Sequence, residues 1–182
     1  MKRFLAPAAA LFALVGMAVA ADVKSGLDLG ESTTPFIVKD ITGPHKGTSL
    51  CYRCAYGAKP VTCIFTREIN EEVASLIQQI DSAVGSNTNK DMKGFVVLLT
   101  NDADAGAKQL AKLAADKGIK NVPLTVYDGQ SGPPAYKISK DAAITVLMWN
   151  KGHVEVNNAF DTAKLTPEQV KTIAGETSKI LK

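Results

Sequence analysis

Most of the motifs that announce a chemistry are missing from this sequence. No glycine-rich loop runs into a helix to cradle phosphate, and no serine elbow occurs. The run Gly129-Gln130-Ser131-Gly132 leads into Pro133-Pro134, and so into a loop. Binding of phosphate by such a loop and serine-hydrolase chemistry are therefore without a vehicle. Charge of one sign is scarce as well: the formal charge is +3, of which Lys2 and Arg3 supply two units, leaving +1 for residues 21–182. A surface so close to neutral gives no electrostatic case for nucleic acid or an anionic membrane, which need clustered Lys and Arg. The carboxylate groups that do gather stand where helices are predicted to begin. Asp102 and Asp104 head one helix and Glu68, Glu71 and Glu72 another, where acids cap amides and complement the dipole. The long apolar run Phe4–Val19 is Ala-rich and too short for a membrane anchor, and no cysteine follows it to carry a lipid.

What is present begins with an address. Lys2 and Arg3, the apolar run, and the Ala18-Val19-Ala20 ending predict a cleavable export signal over residues 1–20. The mature chain is then expected to be exported and soluble, periplasmic or extracellular. It would keep 162 of the 182 residues, enough for one domain to bury a core without staples. Three cysteines, Cys51, Cys54 and Cys63, are an odd set for an oxidising compartment, so at least one thiol stays free unless chains pair.

Residues 21–35 are polar and bear Gly, Ser and Thr, the composition of a flexible arm ahead of a domain spanning 36–182. Phe36–Ile41 reads as a short strand, and Thr42-Gly43-Pro44 with His45-Lys46-Gly47 as a loop that continues to the cysteines. Pro60–Arg67 is rich in β-branched and apolar residues and suits a central strand covered on both faces. Ile69, Val73, Leu76, Ile77, Ile80 and Val84 recur at helical spacing, with Gly85 placed as a C-terminal cap. Phe95–Leu99 is a buried strand. A second helix from about Asp104 sets Ala107, Leu110, Ala111 and Ala114 on one face and stops at Gly118. Val122–Asp128 is a strand that Pro123 should keep from a fully paired central position. Ile144–Trp149 and Val154–Asn158 form a hairpin through Asn150-Lys151-Gly152-His153, and Thr166-Pro167-Glu168-Gln169 is a capping box opening the last helix.

This order predicts an α/β domain with a mixed central sheet flanked by helices on both faces. The runs PFIVKDITG, PVTCIFTR, FVVLLTND, VPLTVYD and ITVLMWNKGHVEV, over about Phe36–Leu181, resemble the thioredoxin-like fold, in the version of peroxiredoxins and exported thioredoxin-like reductases. The resemblance implies a reactive cysteine just after the central strand, at a helix start that lowers its pKa. Here that position reads Thr66-Arg67-Glu68-Ile69, and Asn70, Glu71 and Glu72 offer no cysteine in the first helical turn. The cis-proline that the resemblance implies before a threonine is replaced by Ile144, ahead of Thr145.

The remaining dithiol is Cys51-Tyr52-Arg53-Cys54, which precedes the central strand and belongs at the amino-terminal edge of the sheet, near the turn Lys151–His153. Three readings stay open. In the first, Cys51 and Cys54 exchange electrons with a partner protein's thiol or disulfide without a cofactor. His45, Lys46, Arg53 and Lys59 favour thiolate there, Tyr52 and Tyr56 offer an apolar docking surface, and the thioredoxin precedent makes Cys51 the attacking thiol. In the second, the pair is a structural disulfide on a catalytically silent binding module. In the third, Cys51 and Cys54 with His45 or His153 hold Cu(I) or zinc. Cys63, in mid-strand, reads as an inert buried thiol, and Met148 and Trp149 as core.

Overall fold

The computed structural model describes residues 23–161 and 165–182, so the expected export signal at 1–20 lies outside the described residues. Seven strands form one mixed sheet: β1 (Val38–Asp40), β2 (Ser49–Leu50), β3 (Val61–Thr66), β4 (Lys93–Thr100), β5 (Leu124–Asp128), β6 (Ile144–Asn150) and β7 (His153–Phe160). Their spatial order is β2-β1-β5-β4-β3-β6-β7. β3, β4 and β5 run parallel, while β1 and β6 run antiparallel to their neighbours. The helices are α1 (Tyr52–Tyr56), α2 (Glu71–Ser86), α3 (Ala103–Lys117) and α4 (Pro167–Gly175). Among the described residues no helix is long and apolar enough to cross a membrane.

Alternation along the central strands divides the core in two. Ile64, Val96, Leu98, Val146 and Met148 face an aliphatic cluster built with α2, α3 and α4. Cys63, Phe65, Phe95, Leu147 and Trp149 face an aromatic cluster closed by Tyr52 of α1, Phe36, Tyr136 and Leu27. Helices thus flank both faces, but three long ones share one side and a single short one covers part of the other. Full burial of β3 on both faces follows from this sandwiching.

Several helix ends match their sequence signals. Asp102 caps α3 by accepting from the Ala105 amide, Gly118 takes the left-handed conformation at its end (φ 66°), and Thr166 and Gln169 make a reciprocal capping box. Gly85 is a correction: it lies inside α2, which ends at Ser86 with Asn87 as its cap. A Cβ there would come within 2.8 Å of the Asn121 side chain, so close approach, not a turn, accounts for the glycine. On α3 the buried residues are Gly106, Leu110 and Leu113, and Ala111 is exposed. Pro123 lies one residue before β5, where its carbonyl accepts from the Val96 amide (2.9 Å). Freed of the proline, β5 pairs with both β1 and β4 and is interior, contrary to the expectation that Pro123 would keep it from a fully paired central position.

Two further expectations are revised. Residues 24–35 do not hang as a loose arm. The Gly30 amide donates to Val154 O (2.8 Å), Val154 N to Glu31 O (3.0 Å) and Thr33 N to Gly152 O (2.8 Å), so this segment covers the otherwise unpaired edge of β7. The stretch before the cysteines is not all loop either: after the turn at 41–48 the chain adds β2 beside β1 and then coils into α1.

A buried carboxylate ties this region together. Asp40, fully buried at the end of β1, accepts from the amides of Gly43 (2.7 Å) and His45 (2.8 Å) and from the Tyr52 hydroxyl (2.7 Å). Tyr52 stacks on Phe95 with ring centroids 5.5 Å apart. Burial first, and the Asp40 carboxylate second, push its phenol well above the ordinary tyrosine range, so it stays a donor at any working pH. Tyr52→Phe keeps the ring packing and removes the donor. The expected cost is about 2 kcal/mol for a buried hydrogen bond to a charged group, read as a lower denaturant midpoint with an unchanged slope.

Candidate functional site

Cys51 and Cys54 are joined in a disulfide with Cα atoms 5.2 Å apart. Cys51 is the extended N-cap of α1 (φ −104°, ψ 99°), and its Sγ accepts from the Cys54 amide at 3.0 Å. The turn continues with Ala55 N donating to Cys51 O (3.0 Å) and ends at Gly57, whose positive φ of 58° lets the chain reverse toward β3. Cys54 is exposed and Cys51 half-buried.

The helix is held from three sides. Tyr52 reaches inward to Asp40, as above. Tyr56 lies against Tyr52 and Phe95, with ring centroids 5.2 and 6.1 Å away, and its hydroxyl donates to Gly94 O at 3.4 Å. Arg53 donates from Nε to Thr33 Oγ1 (2.5 Å) and from Nη1 to Gly57 O (3.2 Å). Its Nη2 lies 2.6 Å from where a Cβ on Gly152 would stand, so the two-residue β6–β7 turn, Lys151 (φ 52°) and Gly152 (φ 81°), is shaped to admit the guanidinium. Lys151 N also donates to Ala58 O at 3.1 Å. The cysteine turn and the hairpin turn therefore share the amino-terminal end of β3, where Val61 pairs with Trp149.

The other predicted site residues fall out as follows. Lys59 forms an exposed ion pair with Asp91 (3.4 Å). Tyr52 is 2 % exposed and Tyr56 half-buried, so the expected tyrosine docking surface is instead part of the aromatic core. His45 is exposed, its ring edge-on to Tyr52 at 6.4 Å, while the His153 Nδ1 sits 3.3 Å from both Ser32 Oγ and Gly30 O. Among the described residues no three His, Cys, Asp or Glu side chains gather as a metal set, and the two sulfurs are bonded to each other, so the Cys51, Cys54, His45, His153 ligand set is not assembled. Cys63 is fully buried and burial pushes its thiol well up, which suits an unreactive core residue.

At the far end of the sheet, Thr66 and Arg67 stand where the resemblance implies a reactive cysteine. Thr66 Oγ1 donates to Glu68 O (2.6 Å), and Arg67 donates from Nε to Gln130 O (3.0 Å) and from Nη1 to Ala142 O. Ile144 pairs opposite Thr66. Sequence reasoning missed α1 and the anchoring role of Asp40. Gly57, five residues after the proline-free start at Tyr52, was the available signal for the helix stop, and Asp40 three residues before Gly43 the signal for a side-chain-closed turn.

No sequence-family profile matches the chain, and no curated protein sequence does. Solved structures do. A protein described as a thiol:disulfide interchange protein DsbE from Chlorobium tepidum superposes with a TM-score of 0.66 at 14 % identity, over 86 % of this chain and 99 % of that one. One described as a protein disulfide isomerase from Bacteroides thetaiotaomicron gives 0.64 at 15 % identity, over 87 % and 94 %. A mutant form of PrxQ from Xylella fastidiosa gives 0.62 at 12 % identity, over 86 % and 98 %. At such low identities the likeness speaks to architecture, and the architecture is the thioredoxin-like fold.

Proposed function

We propose that this chain is an exported thiol–disulfide exchange protein whose working pair is Cys51 and Cys54. The observation that supports it best is a solvent-accessible disulfide spanning only three positions, with a backbone amide donating to one of its sulfurs. Such a bridge is a poor brace. Closing a four-residue loop restrains the unfolded chain by about 2 kcal/mol in the chain-entropy treatment, against about 3 for a fifteen-residue loop. A short, accessible disulfide beside cations fits exchange better than scaffolding. Export rests on the Lys2-Arg3 start, the apolar run and the Ala18-Val19-Ala20 ending.

In the oxidised direction, a partner's thiolate attacks the sulfur of exposed Cys54. A mixed disulfide forms, and the Cys51 sulfur leaves with the electron pair, toward the amide that already donates to it. A second thiolate of the partner attacks its own sulfur in the mixed disulfide and releases Cys54. The partner is oxidised, the protein holds two thiols after proton uptake, and the reverse sequence reduces a partner disulfide. Thioredoxin order pointed to Cys51 as the sulfur that meets the partner. The exposure pattern favours Cys54 for that step and Cys51 as the one released.

One observation favours the second reading, a catalytically silent module carrying the same disulfide: Arg67 and its carbonyl partners fill the end of the sheet where the resemblance implies the reactive cysteine. Variants separate the two. Cys51→Ser and Cys54→Ser are each expected to abolish the protein's acceleration of insulin reduction by dithiothreitol above the uncatalysed rate. Wild-type turnover equal to that of either variant would falsify exchange. A thiol count on protein isolated from an oxidising compartment is expected to find no reactive thiol in the native state. One should appear on unfolding without reductant, from Cys63, and two more after reduction.

A further inference from the structure

We infer that the face around Cys54 receives an extended segment of a partner protein in which the reacting cysteine is flanked by acidic residues. This rests on the exchange reading and adds the substrate class. The charges of this nearly neutral chain are sorted by the two ends of its sheet. The carboxyl ends of the parallel strands and the helix starts beside them carry exposed Glu68, Asp102, Asp104, Asp128 and Asp141, against the cations Lys24 near Phe160, Lys140 beside Asp141, and Arg67, which is turned into carbonyls. The amino ends carry the opposite sign.

Arg53 stands between the two cysteines, and its Nε and Nη1 donate to a hydroxyl and a carbonyl, so its charge is not neutralised by a carboxylate ion pair among the described residues. Exposed Lys151 is fixed beside α1 by its amide on Ala58 O, Lys59 leads into β3, and half-buried Lys93 opens β4 opposite Val61. His45 and Lys46 stand exposed on the loop held by Asp40. Of the acids near this end, Asp91 is paired with Lys59, so those two add no net charge, Glu31 is paired with Lys137 and Glu155 with Lys182, and Asp40 is buried beneath Tyr52. Between the cations, the exposed surface next to Cys54 is made of Ala55, Gly57 and Ala58. Side chains this small let a partner's main chain approach the sulfur, and the surrounding cations select its flanks. Complementarity of this kind acts chiefly on the encounter rate and weakens within a Debye length of about 8 Å at physiological salt.

The test uses the oxidised protein and three peptides, each with one cysteine flanked by aspartate, serine or lysine. The rate of mixed-disulfide formation is followed by mass spectrometry after acid quench. Each rate is divided by that peptide's rate with hydroxyethyl disulfide, a neutral reference that corrects for differences in thiolate fraction. The aspartate peptide should react about 10-fold faster than the serine peptide at low salt, with the lysine peptide slowest and the spread collapsing at high salt. Lys151→Glu should remove most of the aspartate advantage, slowing the serine peptide less, since only its thiolate is repelled, and leaving the melting temperature unchanged. Equal corrected rates, or a faster lysine peptide, would overturn the inference. So would a salt-sensitive rise in mass with protein concentration, which would place the acidic end of a second copy on this face. Failure of all three peptides to react, while hydroxyethyl disulfide exchanges with them normally, would instead strike the exchange reading itself.

Discussion

The buried carboxylate of Asp40 is the constraint on which the disulfide's geometry depends. A charged group with no solvent is tolerable only if its lone pairs are satisfied, and this one takes two amides of the following turn and the Tyr52 hydroxyl. Those three bonds do separate jobs with one group. The amides fold the turn that brings β2 back beside β1, and the phenol draws Tyr52, the residue after Cys51, into the core. Because Tyr52 points inward, the positions flanking it along α1 point elsewhere: Cys54 faces solvent, and Arg53 reaches sideways to Thr33 and the Gly152 turn. The sulfurs are thus presented by an aromatic plug, not by a long helix.

That arrangement puts the disulfide before the central strand, whereas the fold resemblance implies a reactive cysteine after it. At the carboxyl end, Arg67 reaches carbonyls of two loops and closes the space after β3. At the amino end, α1, the hairpin turn and the segment before β1 meet around Arg53. The same parallel strands support either end, since the layers of side chains above and below them are indifferent to where a reactive group is hung. The thioredoxin-like fold is kept, and its disulfide stands before the central strand, where α1 meets the β6–β7 turn.

The edges of the sheet show a related economy. β7 leaves one row of backbone groups unpaired, and residues 30–33 pair with it instead of forming a loose arm. Thr33, in that segment, then receives Arg53, so the cover of an exposed edge also braces the cysteine turn. Composition alone made residues 21–35 look unstructured, because much of what orders the described part is backbone pairing with β7 and contacts such as Ser25 with Thr145 and Leu27 in the core, none of which follows a sequence period. Gly85 and Pro123 misled for a similar reason. Each is a local breaker by propensity, yet one is set by the proximity of Asn121 and the other lies a single residue outside its strand.

The chain by itself determined the periodic elements: the apolar faces of α2 and the last helix, the capping signals at Asp102, Gly118 and Thr166, the buried runs of β3 and β4, and the Lys151-Gly152 hairpin. These depend on neighbours within a few residues, and burial on a face writes itself into the spacing. It also determined that Cys51 and Cys54 precede the central strand, and with that the end of the sheet they occupy. Only the tertiary structure decided that Tyr52 is core and not surface, that Asp40 anchors it from twelve residues away, that the histidines stand apart from the sulfurs as a ligand set, and that Cys54 is the more exposed of the pair. Each of these is a meeting of side chains brought together by strand pairing, and the distance between two atoms in space has no counterpart in their separation along the chain.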